Sequence, residues 1–562
     1  MRRPTPRRWL QGCAGLAAIT MVLAGCSSDT TDDTADEPGT ETTDTGTDTG
    51  TDPEGGEPTD AEPSGGSFST QLGEPSFLAP TSQCYESECS QVLNTIYTGL
   101  LSIDPETQEQ VLGVAESIDS PDGLVWTVKL KEGWTFHNGE PVDADSYIRA
   151  WNYAAYGPNA TQTGFFFSPV EGYDDLQGEK PKAKELSGLK KVDDLTIEIT
   201  LAKPFSQWPL SMSYTPPFAP MAEECLDDLK TCQEQPIGNG PYQIVGEWKH
   251  NDNITVERFE DYAGEEVANA DEIVFKIYGD LVTAFRDWQA GNIDITVPDP
   301  SQYKQAEALA GDRLVRVDSG VFSYTGFPLY MEEFQDVRIR QALSLAIDRE
   351  TIDEKVYFGT RTPATDVIAP FAPGSRTDAC EFCRYDPEEA KRLYDEAGGI
   401  PGDKITIWFN NDGGHELFME AVANGWRNDL GLDYEFETQP FTPYLATLEK
   451  GEVTGPYRLG WGPDYPSPEN YLDPVYGEGS TNYGQWSGPA HDKFLDLIEQ
   501  GDAQASVEDG IPFYQQAADV VLEELVVIPM FFSETTIVYS ENVDNVIYSP
   551  IGDIKLAQVT VN

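Results

Sequence analysis

The residues best equipped for chemistry in this 562-residue chain are its eight cysteines, its four histidines and its 97 acidic side chains. Six cysteines form three close pairs: Cys84 with Cys89, Cys225 with Cys232, and Cys380 with Cys383. In an exported protein, thiols at such spacings are expected to oxidise to three local disulfides. The Cys380-Glu-Phe-Cys383 spacing also suits thiol redox chemistry or half of a zinc site, although no histidine lies nearby and no second pair matches it. His137, His250, His415 and His491 are scattered in polar contexts and are expected at the surface; a pair meeting in the fold could hold a metal. There is no Gly-x-Ser-x-Gly elbow, His-Glu-x-x-His pair, P-loop or dinucleotide fingerprint. Carboxylates are too abundant for a catalytic pair to stand out. The chain is therefore expected to perform no reaction of its own and to need no metal or cofactor.

Charge narrows the partners. Against 97 acidic residues stand 36 Lys plus Arg, a formal net charge of -61. Such a surface repels nucleic acid, so no nucleic-acid partner is expected. The excess serves solubility, or attracts cationic solutes.

The N-terminus reads as an address. Arg2, Arg3, Arg7 and Arg8 precede an apolar run from Cys13 to Ala24, too short to span a bilayer, so residues 1–25 are expected to be a signal peptide. Arg7-Arg8 fits a twin-arginine signal poorly. Leu23-Ala24-Gly25-Cys26 resembles the bacterial lipobox, which implies diacylglycerol on the Cys26 thiol and a lipid anchor in the membrane. Residues 27–66 contain only Ser, Thr, Asp, Glu, Gly and Pro besides two alanines. They bury too little apolar surface to offset ordering entropy, so 26–66 is expected to be a disordered acidic tether. Its Asp-Thr-Gly repeats lack the spacing and terminal Glu of an EF-hand loop.

From Ser67 onward helical and strand periodicities alternate. Leu124 to Leu130, Leu195 to Leu201, Tyr242 to Val245, Lys404 to Phe409 and Val526 to Phe532 read as strands. Asp143 is expected to cap a helix carrying Tyr147, Ile148, Trp151 and Ala155, and Asp336 another with Val337, Leu343, Ala346 and Ile347. Asp386-Pro387 starts a helix that Gly398-Gly399 stops, and one through Phe494, Leu497 and Ile498 ends at Gly501. The alternation predicts α/β lobes with partly parallel sheets.

Four segments in order resemble the extracytoplasmic solute-binding proteins for oligopeptides and dipeptides that feed ATP-driven importers. They are Leu124 to Ser146 (LVWTVKLKEGWTFHNGEPVDADS), Pro236 to Tyr242 running on to Val256–Tyr262, Asp336 to Arg349 (DVRIRQALSLAIDR), and Arg458 to Pro466 (RLGWGPDYP) with Asn482-Tyr483 and Asp492-Lys493. The resemblance spans about 490 residues and implies a bilobed, class II periplasmic-binding-protein-like α/β flytrap with an extra subdomain. Lobe I would comprise 67–86, 191–278 and 530–562; the inserted subdomain 87–190; lobe II 279–529.

In peptide-binding members the ligand lies extended and pairs its backbone with protein strands. The family's Gly-Trp-x-x-Asp motif falls on Gly460, Trp461 and Asp464. By this resemblance Asp464 would pair with a peptide ammonium, Trp461 would wall the pocket, and Gly460 would offer backbone. Arg458 matches an arginine that meets the carboxylate of short peptides in some members; an ordinary surface salt bridge accounts for it equally well. Glu74 and Ser76 fall where the first strand borders the ligand. Pro463 and Pro466 depart from the oligopeptide pattern and stiffen the loop. The implied partners are a peptide and ABC transporter permease subunits, with the chain itself a monomer. Rival readings are another solute (oligosaccharide, nickel chelate or opine) or a sensory lipoprotein; Asp464 favours peptides over sugars.

Overall fold

The structure is a computed structural model describing residues 63–562, except 85, 106, 108, 266, 267, 412, 413, 479–481 and 550. The expected signal peptide, Cys26 and nearly all of the tether lie outside the described residues. The chain joins the fold within the last residues expected as tether. The Gly65 N–H donates to the Asn269 carbonyl at 2.9 Å, and the Gly66 N–H to Asp271 Oδ2 at 2.8 Å.

Local signals produce the elements they predict. Asp143 accepts from the Ser146 N–H at 3.0 Å while Ser146 Oγ accepts from the Asp143 N–H at 3.2 Å. This reciprocal cap starts the helix Ala144–Ala155, which buries Tyr147, Trp151 and Ala155. Asp386 caps Pro387–Ala397, and Gly398, at φ 88°, ends it. The Pro236-Ile-Gly-Asn-Gly segment is a close approach as well as a turn. A Cβ on Gly238 or Gly240 would collide with the Ile96 backbone, and the Asn239 amide cross-links this loop to Thr98.

The main sheet has eleven strands. In spatial order they are Asp433–Gln439, Lys404–Asn410, Tyr457–Trp461, Leu314–Gly326, Val527–Tyr539, Ile295–Thr296, Ser67–Leu72, Glu272–Ile277, Asn253–Arg258 and Tyr242–Ile244, with Arg361–Pro363 also on Val527–Tyr539. Ser67–Leu72 runs parallel to Glu272–Ile277, and Lys404–Asn410 parallel to Asp433–Gln439, so the sheet is partly parallel. Hydrophobic packing divides the molecule into two lobes. One core includes Phe68, Trp151, Trp208 and Phe275; the other includes Phe322, Leu343, Trp426 and Tyr471.

Two antiparallel strands of 13 residues each, Leu314–Gly326 and Val527–Tyr539, pass from one lobe into the other. Their register runs from Leu314 opposite Val538 to Asp318 opposite Glu534, breaks, and resumes from Phe322 opposite Phe532 to Gly326 opposite Val527. Gly320 lies in the break at φ 69°, where a Cβ would strike the Phe371 ring, so only glycine fits there. The bilobed α/β fold is therefore one sheet bent between two cores. The expected strand at Val526 to Phe532 is only half of the real one. The polar run Ser533-Glu-Thr-Thr536 interrupts its apolar pattern where it crosses between lobes.

Pairing also moves two expected boundaries. Ile295 pairs with Thr70 of the first lobe, and Phe285 and Trp288 pack beside Val538, so the segment after residue 279 still belongs to the first lobe's side. The four-stranded sheet formed largely within the subdomain expected over 87–190 includes strand Thr196–Thr200 from beyond it.

Candidate ligand-binding site

Strand Tyr457–Trp461 carries three of the expected site residues and pairs antiparallel with the second-lobe half of Leu314–Gly326. Arg458 lies opposite Thr325, Gly460 opposite Ser323 and Trp461 opposite Phe322. The Tyr444 hydroxyl donates to the Arg458 carbonyl at 2.9 Å and fixes the strand from the helix side. Arg458 is half-buried; its Nε is sealed from solvent and has no hydrogen-bond partner, as is also true of Trp461 Nε1. Burial pulls the guanidinium below arginine's ordinary pKa. A surface salt bridge is not what holds Arg458.

Beyond Trp461 the chain hooks back. The Asp464 N–H donates to Asn470 Oδ1 at 2.9 Å, and the Ser467 N–H to the Tyr465 carbonyl at 2.8 Å. Ser467 then caps helix Pro468–Tyr476 through the Glu469 N–H at 3.1 Å. Pro466 and Pro468 suit this hook, since each fixes φ and neither position must donate an N–H. The charge of half-buried Asp464 reaches Tyr214 of the first lobe. Burial first, and then the charges of Asp464 and Glu86, push the Tyr214 phenol up; its hydroxyl is 3.2 Å from Ser90 Oγ.

The same hook joins the lobes. Tyr465 packs against Leu101, Ile103 and Leu210. Ser467 Oγ donates to Gln207 Oε1 at 2.9 Å, and Gln207 Nε2 to the Val507 carbonyl at 3.3 Å. The Ser206 N–H donates to the Asp502 carbonyl at 2.8 Å and its Oγ to the Gly501 carbonyl at 3.2 Å. Behind this latch lie three crowded carboxyls. Glu469 is buried and accepts the Tyr465 hydroxyl at 2.8 Å, while Asp502 accepts the Tyr514 hydroxyl at 2.7 Å. Burial and then the charges of Asp502 and Asp473 hold Glu469 well above the carboxylate range. Burial pushes Asp502 up to about 7, and raises Asp473 as well.

Glu74 and Ser76 are not brought to this strand. Exposed Glu74 bonds His250 Nδ1 at 2.6 Å and the Asn251 N–H at 2.8 Å. The Ser76 N–H donates to Glu86, which links it only indirectly to Tyr214. Exposed His250 lies at the surface as expected, but His491 is buried and bonds the Tyr476 carbonyl at 2.8 Å, and half-buried His137 is lowered to about 4 by desolvation. The structure joins Cys84 to Cys89, Cys225 to Cys232 and Cys380 to Cys383 as disulfides. Sequence reasoning missed Ser206, Gln207, Ser467, Glu469 and Asp502. The Ser467–Gln207 contact joins residues 260 apart, and no local pattern marks such a pair.

Two lobes sharing a bent sheet, with unpaired polar groups on the strand beside their junction, define a solute-binding clamp. The family model "Bacterial extracellular solute-binding proteins, family 5 Middle" matches residues 109–483, and the chain belongs to that family. It is 27% identical over 462 residues to the periplasmic oligopeptide-binding protein OppA of Salmonella typhimurium, covering 79% of this chain and 82% of that protein. To the dipeptide-binding protein DppE of Bacillus subtilis it is 26% identical over 483 residues, covering 83% and 86%. The unliganded open form of MppA, the Escherichia coli murein tripeptide-binding protein, superposes with a TM-score of 0.77 at 21% identity, over 88% of this chain and 97% of MppA.

Proposed function

We propose that this chain captures peptides between its lobes and delivers them to an ABC importer, performing no chemistry itself. The observation that carries the reading is the pair of opposite charges on one strand-and-hook segment. Asp464 stands at the hook, its charge reaching the other lobe, and Arg458, with Nε unpartnered, stands six residues earlier. Gly460 lies between them, leaving backbone accessible to an extended ligand. Asp464 would hold the ammonium, Arg458 the carboxylate, and Trp461 the wall between. The peptide-binding relatives support this choice over oligosaccharides, nickel chelates or opines.

On this reading, the two crossing strands hinge the lobes, with the first lobe and its subdomain on one side and 322–532 on the other. Cys26 would carry the lipid anchor, the acidic segment would hold the body off the membrane as a tether, and the chain would act as a monomer. Replacing Cys26 by Ala should move the protein from the membrane to the soluble fraction, and retention in the membrane would refute the anchor. The test of the main reading is calorimetric titration of the full chain with trialanine, N-acetyl-trialanine, maltotriose and a nickel chelate. Trialanine alone should bind. If a sugar or chelate binds and trialanine does not, peptide capture is the wrong reading.

A further inference from the structure

A second arginine stands near Arg458. Strand Arg361–Pro363 pairs with Val527–Tyr539 on the edge opposite Leu314–Gly326, with Pro363 opposite Phe531 and Arg361 opposite Ser533. Phe531 lies opposite Ser323, and Ser323 opposite Gly460. Directly opposed residues share a face of a sheet, as do residues two apart on one strand. Arg361 and Arg458 therefore project from the same face, at opposite sides of a four-strand ribbon.

Tyr357 lies between them. Its ring packs edge-on to Phe531 at 5.4 Å, and the Arg361 guanidinium lies over it at 5.1 Å. The fields of both arginines act on the Tyr357 phenol, and the charge of Arg361 in turn disfavours that of Arg458. Neither guanidinium makes an ion pair among the described residues, in a chain with 97 acidic side chains. The charge of Arg361 reaches Asp353, but no ion pair joins the two. Asp353 accepts the Arg361 backbone N–H at 3.0 Å, and Glu534 accepts from Thr362 Oγ1 at 3.3 Å. Two half-buried like charges that form no direct ion pair are costly to hold together, and a bound anion would relieve that cost.

We infer that Arg361 is a second anion contact of the cleft, and that the preferred ligands are peptides ending in Asp or Glu. The inference rests on the peptide reading above: Arg458 would take the terminal carboxylate and Arg361 the side-chain carboxylate. A guanidinium fork suits each. The selectivity is local and runs against the acidic surface of the protein as a whole.

Calorimetry of the full chain with Ala-Ala-Glu, Ala-Ala-Gln and free glutarate tests it. Ala-Ala-Glu should bind about tenfold more tightly than its amide isostere, the scale of one charge-assisted hydrogen bond. Arg361→Gln should erase that difference while leaving Ala-Ala-Gln within about twofold of the parent, and Arg361→Lys should restore part of it. Equal binding of both peptides to the parent protein overturns the inference and leaves peptide capture standing. If neither peptide binds, both fall. Equal weakening of both peptides by Arg361→Gln would mean that Arg361 only supports its strand, and glutarate binding as tightly as Ala-Ala-Glu would mean that the site takes free dicarboxylates; either result overturns it.

Discussion

The hook and the strand treat charge in opposite ways. Around the hook, acidic groups are crowded, and most find a hydrogen-bond donor inside the protein: Glu469 has Tyr465, and Asp502 has Tyr514. On the strand, Arg458 is taken out of water without an ion pair among the described residues. A crowded acidic region can relieve itself by binding protons, because carboxyl groups titrate within reach of neutral pH. A guanidinium has no such recourse, since it stays protonated. The acidic end is thus adjustable by pH, whereas the basic end is adjustable only by a bound anion.

Four changes would break or sharpen this contrast. The largest effect is expected at Asp464. Asp464→Asn should cost a free-amine peptide about 3–5 kcal/mol, two to four decades in affinity. An N-acetylated peptide should lose as much against the parent protein, and the two losses should not add fully, because they remove one interaction. Unchanged affinity in a calorimetric cycle would place the amine site elsewhere. Next, Arg458→Met should cost about 2 kcal/mol for a peptide with a free carboxylate, and much less for its C-terminal amide. A uniform loss for acid and amide would make Arg458 a packing residue.

Third, Gln207→Ala removes the two hydrogen bonds that tie Ser467 and Val507 to the first lobe, and should lower unfolding stability by about 1–2 kcal/mol. A denaturant midpoint equal to the parent's would mean that the latch adds nothing. The fourth change concerns protons. Asp502 has a folded pKa of about 7 against an ordinary 3.8, so the folded state binds more protons than the unfolded state between those values. Its contribution to stability is complete below the lower value and is lost as pH rises through the upper one. Melting temperature should therefore fall as pH rises across this window, and Asp502→Asn should flatten that fall. A variant with the parent's slope would assign the titration to Glu469 or Asp473.

Much of this was legible in local sequence. Asp143, Asp336 and Asp386 announce their helices because a cap is written within four residues. Arg458, Gly460, Trp461 and Asp464 were grouped only by the motif of a resemblance, and the strand that carries the first three emerged with the structure. The crossing strands were legible only in part, because the half-exposed stretch from Ser533 to Thr536 has no apolar alternation. Arg340 and Arg349 stood out only as parts of a resemblance. In the structure both are cross-links: Arg340 donates to the Phe334, Gln335, Glu524 and Leu525 carbonyls, and Arg349 to those of Pro529 and Cys383. The latch and Arg361's position across the ribbon depend on strand order, which no stretch of sequence encodes by itself.

The crossing strand Val527–Tyr539 follows its partner by some two hundred residues, yet it sits in the middle of the sheet. Ribosomes release the N-terminus first, so neither lobe can complete its sheet until residue 539 has been made. Leu314–Gly326 must wait some two hundred residues for its partner, and long-range pairing of this kind is slow. A nascent chain of this architecture stays incompletely folded until that strand emerges, which is the condition a polypeptide needs if it is to be threaded through a narrow channel. It is also the interval in which holding chaperones have the longest access to it.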